Sequence, residues 1–257
     1  MRRVVKVGGR AQSDPALAAA LAATVKAGDA LCVVHGGGDE VSALQRRLGM
    51  EPKFLGGRRV TSADDMDVVR MVLSGTTNKR LVAQLISAGV RAVGISGEDG
   101  GLFNARITDA KMGRVGGRVD VDASIVAHLT AGGFVPVVSP LARDADDADG
   151  AGLNVNGDDA AAALAGALAA DDLVLVADVP GVLDDGKVIP TLDLAAAHHL
   201  VKRGVATGGM AAKLEAATHA FELGVHCVRI AGLAGISNMA SGTRIVSAAV
   251  ATPSTLR

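Results

Sequence analysis

Short apolar runs, several of them leading into glycine, alternate with longer Ala/Leu-rich segments along this chain and restrict it to one class of fold. The runs are Val4 to Val7, Leu31 to Val34, Ala92 to Ile95, Val135 to Val138 and Leu173 to Val176; segments such as Pro15 to Lys26 and Asp39 to Leu48 fall between them. Runs of four or five mostly β-branched residues predict strands buried on both faces, and the 3.6-residue periodicity between them predicts covering helices. The pattern reads as an open, mainly parallel α/β sheet. Phe54 to Val60 and Gly101 to Val121 break the alternation with Gly-Gly pairs and read as hairpins or lid-like loops. The acidic stretch Arg143 to Gly152 reads as a turn, with a lobe boundary placed between residues 140 and 155.

Composition narrows the function. A chain of 257 residues buries a core without disulfide or metal staples, and with no Trp, no Tyr and four Phe that core must be aliphatic. A formal net charge of −1 and the lack of aromatic platforms argue against a nucleic-acid binder. Cys32 and Cys227 have no metal-site spacing and are expected to be buried free thiols of a reducing compartment. Met1 to Val7 enters a strand directly, without a signal-peptide core, and Ala160 to Ala170 falls short of the roughly 18 apolar residues that span a membrane. A cytoplasmic, non-membrane protein is expected.

In open α/β sheets ligands bind beyond the carboxyl ends of the strands. Those positions hold Gly8-Gly9, His35-Gly36-Gly37-Gly38, Ser96 to Gly101 and Asp178-Val179-Pro180-Gly181. Glycine lets backbone N–H groups approach an anion, although strand-to-helix turns use glycine in any case. No P-loop signature occurs, and Gly150-Ala151-Gly152 lacks the third glycine of a dinucleotide fingerprint because position 155 is Val.

Two lysines stand out. Lys6 interrupts an apolar strand just before Gly8, as either a snorkelling edge residue or a cation aimed at a ligand anion. Lys213 follows Gly208-Gly209-Met210-Ala211-Ala212 near the start of a helical segment, where an isolated lysine would face solvent. Between them Asn154-Val155-Asn156-Gly157-Asp158-Asp159 opens the Ala-rich helix, and either aspartate could serve as a helix cap or first-turn acid. His198-His199 could suggest a metal pair, but adjacent positions leave a helix on different faces and solvent exposure is expected. His35 is read as tethering backbone in preference to contacting ligand.

Val5-Lys6-Val7-Gly8-Gly9, His35 to Gly38, Arg59-Val60-Thr61, Asn154 to Asp158, Asp178 to Leu183, Gly208 to Lys213 and Gly242-Thr243-Arg244-Ile245 together resemble the amino acid kinase family, in order and spacing, over nearly the whole chain. The resemblance implies a three-layer αβα sandwich of the carbamate kinase-like type. Residues 1–150 would form an N-terminal lobe for amino-acid substrate and dimerisation, and 151–257 a C-terminal lobe for ATP. It implies ATP-dependent phosphorylation of the γ-carboxylate of N-acetyl-L-glutamate, the second step of arginine biosynthesis, with Mg²⁺ carried on the nucleotide and no resident metal. By the same resemblance Lys6 and Lys213 flank the transferred phosphoryl group and Asp158 orients both. Gly37, Gly38, Arg59, Asn154 and Asn156 hold the acylated amino acid, with Arg59 on its α-carboxylate. Gly8, Gly9, Asp178, Val179, Pro180, Gly181, Val182, Leu183, Val205, Ala206, Thr207 and Gly209 surround ATP.

Arg58, Gly157 and Asp159 depart from the family pattern, which loosens the assignment of substrate around Arg58. The chain starts at its first strand, without the helix that links dimers into hexamers in arginine-inhibited members, so an arginine-insensitive homodimer is expected. A PII-type regulator binds some relatives, but nothing here indicates one. A kinase for succinylglutamate or for carrier-bound aminoadipate, and a non-catalytic oxyanion or nucleotide binder of the same fold, remain open alternatives.

Overall fold

The computed structural model describes residues 1–247 apart from 148 and 150; the expected lobe boundary at 150 and the last ten residues of the expected C-terminal lobe lie outside the described residues. The chain runs β1 (Arg2–Val7), α1 (Ala16–Lys26), β2 (Ala30–His35), α2 (Gly38–Arg47), β3 (Lys53–Leu55), β4 (Arg58–Val60) and α3 (Ala63–Arg70). A π-helical stretch, Met71–Thr77, then leads into α4 (Asn78–Ser87), β5 (Ala92–Ser96), β6 (Phe103–Ile107), β7 (Gly116–Val121), α5 (Ser124–Ala131), β8 (Val135–Ser139) and β9 (Leu141–Asp144). The remainder is β10 (Gly152–Asn154), α6 (Gly157–Ala167), β11 (Asp172–Val176), β12 (Leu183–Asp184), β13 (Lys187–Val188), β14 (Thr191–Asp193), α7 (Leu194–Lys202), α8 (Gly208–Glu222), β15 (Val228–Ala231), α9 (Ala234–Ser237) and β16 (Thr243–Val246).

The main sheet has the order β14-β16-β15-β11-β1-β2-β8-β5 and is parallel except where β15 meets β16. The five apolar runs of the sequence are the five consecutive strands β11, β1, β2, β8 and β5, which reach from the middle of the sheet to one edge. Strand alternation explains the layers. Val4, Cys32, Val34, Leu173 and Leu175 face a cluster that includes Ala160 to Ala165 of α6 and Ala216, Ala217 and Ala220 of α8. Val5, Val7, Val33, Val174 and Val176 face the other way, onto Leu17 and Leu21 of α1, Leu81 and Leu85 of α4 and Ile236 of α9. The fold is thus the expected three-layer αβα sandwich.

The expected hairpins are present. β3 and β4 pair only with each other, while β6 and β7 join β9 and β10 in a second sheet of order β10-β9-β6-β7. Cys32 is buried and free as expected, but Cys227, one residue before β15, is only half-buried. His198 and His199 are both exposed on α7. No helix among the described residues is long and apolar enough to cross a membrane.

Candidate functional site

Lys6 lies in β1 at the middle of the sheet, in register with Val34 on one side and Leu175 on the other. Alternation puts it on the same face as Val4, the face covered by α6 and α8. That is why the first turn of α6 and the side of α8 can reach it. Lys6 Nζ is 3.0 Å from Asp158 Oδ1, and Lys213 Nζ is 3.2 Å from the same oxygen and 3.3 Å from Oδ2. Lys213 is therefore buried, not solvent-facing: Lys6, Asp158 and Lys213 are only 8%, 5% and 9% exposed.

Two ammonium groups share one carboxylate, so the buried cluster carries a net positive charge. Burial alone would raise the Asp158 carboxyl; the charges of Lys6 and Lys213, and the hydrogen bonds they donate, outweigh it and hold the group below its usual range. The positive end of α6 adds to this. Burial, helped by the Lys6 charge, pulls Lys213 below the ordinary lysine value against the attraction of Asp158. An uncompensated buried cation is costly, and an anionic ligand relieves that cost.

Gly8 makes room for this arrangement: a Cβ there would stand 2.8 Å from Lys6 Nζ. Lys6, Gly8, Gly9, Asp158, Asp178, Val179, Gly209 and Lys213 all line one cavity of about 370 Å³, together with Val176, Ala177 and Met210, which sequence reasoning did not single out. Here the expected catalytic and nucleotide residues converge. Gly181 to Leu183 are placed elsewhere: Val182 is 2% exposed and its N–H is taken by Thr243 Oγ1 at 2.8 Å. Pro180 lines a neighbouring cavity, and of the segment Val205 to Thr207, Ala206 is buried while Val205 and Thr207 are exposed.

A second cavity of about 210 Å³ is lined by Gly38, Arg59, Asn154 and Asn156, as the resemblance implies, and by Phe54, Gly57, Arg58, Val115 and Val155. Gly37 lines a hollow that also contains Gly9, which lines the larger of these cavities, and Gly38, which lines the smaller. Gly37 has φ +153° and its absent Cβ would meet Leu73 Cδ2 at 2.8 Å, so the π-helical stretch presses on this loop where only glycine fits. His35 anchors the loop from below. It is fully buried, with Nδ1 2.9 Å from Gly36 O and Nε2 3.1 Å from Asn78 Nδ2.

Arg59 is already engaged. It donates to Gly38 O and Ser42 Oγ at 2.7 Å each and to Gln45 Oε1, and its guanidinium lies 4.9 Å from the Phe54 ring centroid. Burial lowers its pKa, with Asp65 opposing. Asn154 Nδ2 donates to Thr61 Oγ1 at 3.1 Å. Asn156, not either aspartate, is the N-cap of α6: its Oδ1 accepts from the N–H groups of Asp158 and Asp159 at 2.8 and 3.2 Å. Another cavity, about 560 Å³, lies at the opposite, amino-terminal ends of β1 and β2. It has no cluster of charge like the lysine trio and is at the wrong edge of a parallel sheet for ligand chemistry.

Fold and site together define an α/β protein that handles phosphate-like anions. The chain belongs to the amino acid kinase family, whose sequence model matches residues 1–232. It is 45% identical over 245 residues to the acetylglutamate kinase of Chloroflexus aurantiacus (strain ATCC 29366 / DSM 635 / J-10-fl), covering 94% of this chain and 95% of that protein. Among solved structures, smu.665 from Streptococcus mutans UA159 matches with a TM-score of 0.86 and 30% identity over 96% of this chain and 99% of that one. The carbamate kinase of Giardia lamblia bound to AMP-PNP shares the fold, with a TM-score of 0.69 at 17% identity over 96% of this chain and 98% of that one.

Proposed function

We propose that this enzyme uses ATP to phosphorylate the γ-carboxylate of N-acetyl-L-glutamate, giving N-acetyl-L-glutamyl 5-phosphate in arginine biosynthesis. The observation that carries the chemistry is the buried pair of lysines bridged by a single aspartate. A carboxylate acceptor is already ionised near neutral pH and needs no general base. The difficulty is to bring two anions together and to stabilise charge on the equatorial oxygens in flight, which is a task of positioning and electrostatics. Lys6 and Lys213 supply positive charge from two sides, and Asp158 holds both without neutralising both. The 370 Å³ cavity would take the nucleotide phosphates with their Mg²⁺, and the 210 Å³ cavity the acylated amino acid.

The assignment of acceptor binding to residues 1–150 and nucleotide binding to 151–257 is supported by the strand order, in which β2, β8 and β5 flank β1 on one side and β11, β15, β16 and β14 on the other. In this reading the protein works in the cytoplasm as a homodimer. The test is ATP-dependent acyl-phosphate formation, trapped with hydroxylamine, across acetylglutamate, succinylglutamate, glutamate, aspartate and carbamate. Acetylglutamate is expected to be the best acceptor. Preference for free glutamate or aspartate would overturn the reading, and sedimentation of a monomer would overturn the dimer.

A further inference from the structure

The hairpin β3–β4 forms part of the wall of the smaller cavity, to which it contributes Phe54, Gly57, Arg58 and Arg59. It pairs with no other strand, and all three residues of β3 are exposed. A lone two-stranded hairpin is marginally stable in water; backbone bonds of Thr61 to Met112 and Arg114 hold the end of β4, and side chains add to the hold on the rest. Arg59 ties one side of it to α2. Arg58 provides a different tie: its Nη2 lies 3.3 Å from Asp159 Oδ2 in the first turn of α6. That turn also carries Asp158, the carboxylate that bridges the two lysines. One ion pair therefore connects the hairpin to the helix end that organises the phosphoryl site.

We propose that Arg58 is a positioning residue whose ion pair with Asp159 latches the hairpin against the acceptor cavity and sets the acceptor's place relative to Lys6 and Lys213. The proposal rests on the reading of that cavity as the acceptor pocket. Its strength suits a latch. Side-chain exposures of 46% for Arg58 and 28% for Asp159 put the pair among solvent-screened contacts, enough to bias a hairpin but not to lock product in. Asp159 has a second anchor, since its backbone N–H is held by Asn156 Oδ1 at 3.2 Å, so the helix end stays fixed while the hairpin moves.

The test is a double-mutant cycle of Arg58→Met, Asp159→Asn and the pair, read by steady-state kinetics and by hydrogen exchange of the hairpin amides without substrate. Each single variant is expected to raise KM for the acceptor about two- to fivefold, the range of an exposed ion pair, and to leave KM for ATP unmoved. The double variant should be no worse than either single one, and Arg58→Lys should restore part of the loss. Added salt should raise the acceptor KM of the wild type more than that of Arg58→Met. Hairpin amides should exchange faster in both single variants. An Arg58→Met defect with no Asp159→Asn defect, or additive losses, would overturn the latch, because Arg58 would then meet the acceptor directly. Unchanged hairpin exchange would also overturn it. The exchange arm needs no substrate, so a wild type that fails to turn over acetylglutamate would count against the proposed function alone.

Discussion

Lys6 Nζ and Asp158 Oδ1 stand 3.0 Å apart across the sheet-to-helix boundary, and Lys213 approaches the same oxygen at 3.2 Å from α8. Three elements far apart in sequence thus place two cations and one anion together, each largely buried, at the wall of one cavity. Removing a cation that strengthens its hold in the transition state lowers kcat more than it raises KM. Lys6→Ala and Lys213→Ala are each expected to cost about a hundred- to a thousandfold in kcat, the scale of losing one preorganised donor. Steady-state kinetics on folded variants check this; an unchanged kcat in Lys6→Ala would remove the lysine from the chemistry.

Gly8→Ala tests the space that Lys6 occupies. The new Cβ would stand 2.8 Å from Nζ, so the flexible ammonium must shift while the backbone, with φ −148°, stays relaxed. Activity is expected to fall by up to about a hundredfold from misplaced charge, with a thermal midpoint close to wild type. A large loss of stability with normal kcat in the remaining folded enzyme would contradict this.

His35 gives the protein a pH dependence with a definite sign. Asn78 Nδ2 can only donate, and its 2.9 Å contact with Val137 O fixes which end of the amide meets the ring, so Nε2 accepts and the proton sits on Nδ1. Burial lowers the His35 pKa to about 4 from 6.5, a shift that the hydrogen bond at Gly36 only partly opposes. Between those values the unfolded chain binds the proton and the folded one does not, so stability falls as pH drops from about 6.5 towards 4. The loss from this group is about 3 kcal/mol at 1.36 kcal/mol per unit. Urea titrations at pH 7 and pH 4.5 should show a smaller pH-dependent loss in His35→Gln than in wild type.

At the other end of the sheet, Arg229 of β15 grips Asp172 of β11 with Nε at 3.0 Å and Nη2 at 2.7 Å, both residues essentially unexposed. Arg3 Nε approaches the same carboxylate at 2.8 Å but off the hydrogen-bond direction, so it adds charge and not a directed bond. Asp172→Ala leaves these guanidinium groups without their shared partner and is expected to cost about 3–5 kcal/mol. Denaturant unfolding should register that loss while kcat of the folded fraction stays near wild type.

The positions of the central strands and of the glycines at their ends were legible in the residues because both follow from local rules: β-branched runs fill a sheet buried on two faces, and backbone can approach an anion only where side chains are absent. Lys6 was legible for the same reason, as a charge in an apolar strand. β16 was not read as a strand, since its antiparallel pairing with β15 at the C-terminal side of the sheet leaves no special mark in a four-residue run.

For the site, the chain alone determined which chemistry was available: two lysines, a carboxylate and loops of glycine. Only the tertiary structure decided how they are used. Lys213 looked like a surface residue of a helix until α8 packed beside α6 and buried it against Asp158. Either aspartate could have capped α6 until Asn156 took that place and left Asp158 to the lysines. Arg59 read as a free cation for a carboxylate until the hairpin folded onto α2 and engaged most of its donors. Charge and hydrogen-bonding capacity belong to a residue type, but their state depends on burial and on partners brought from distant segments, and these exist only once the layers have closed.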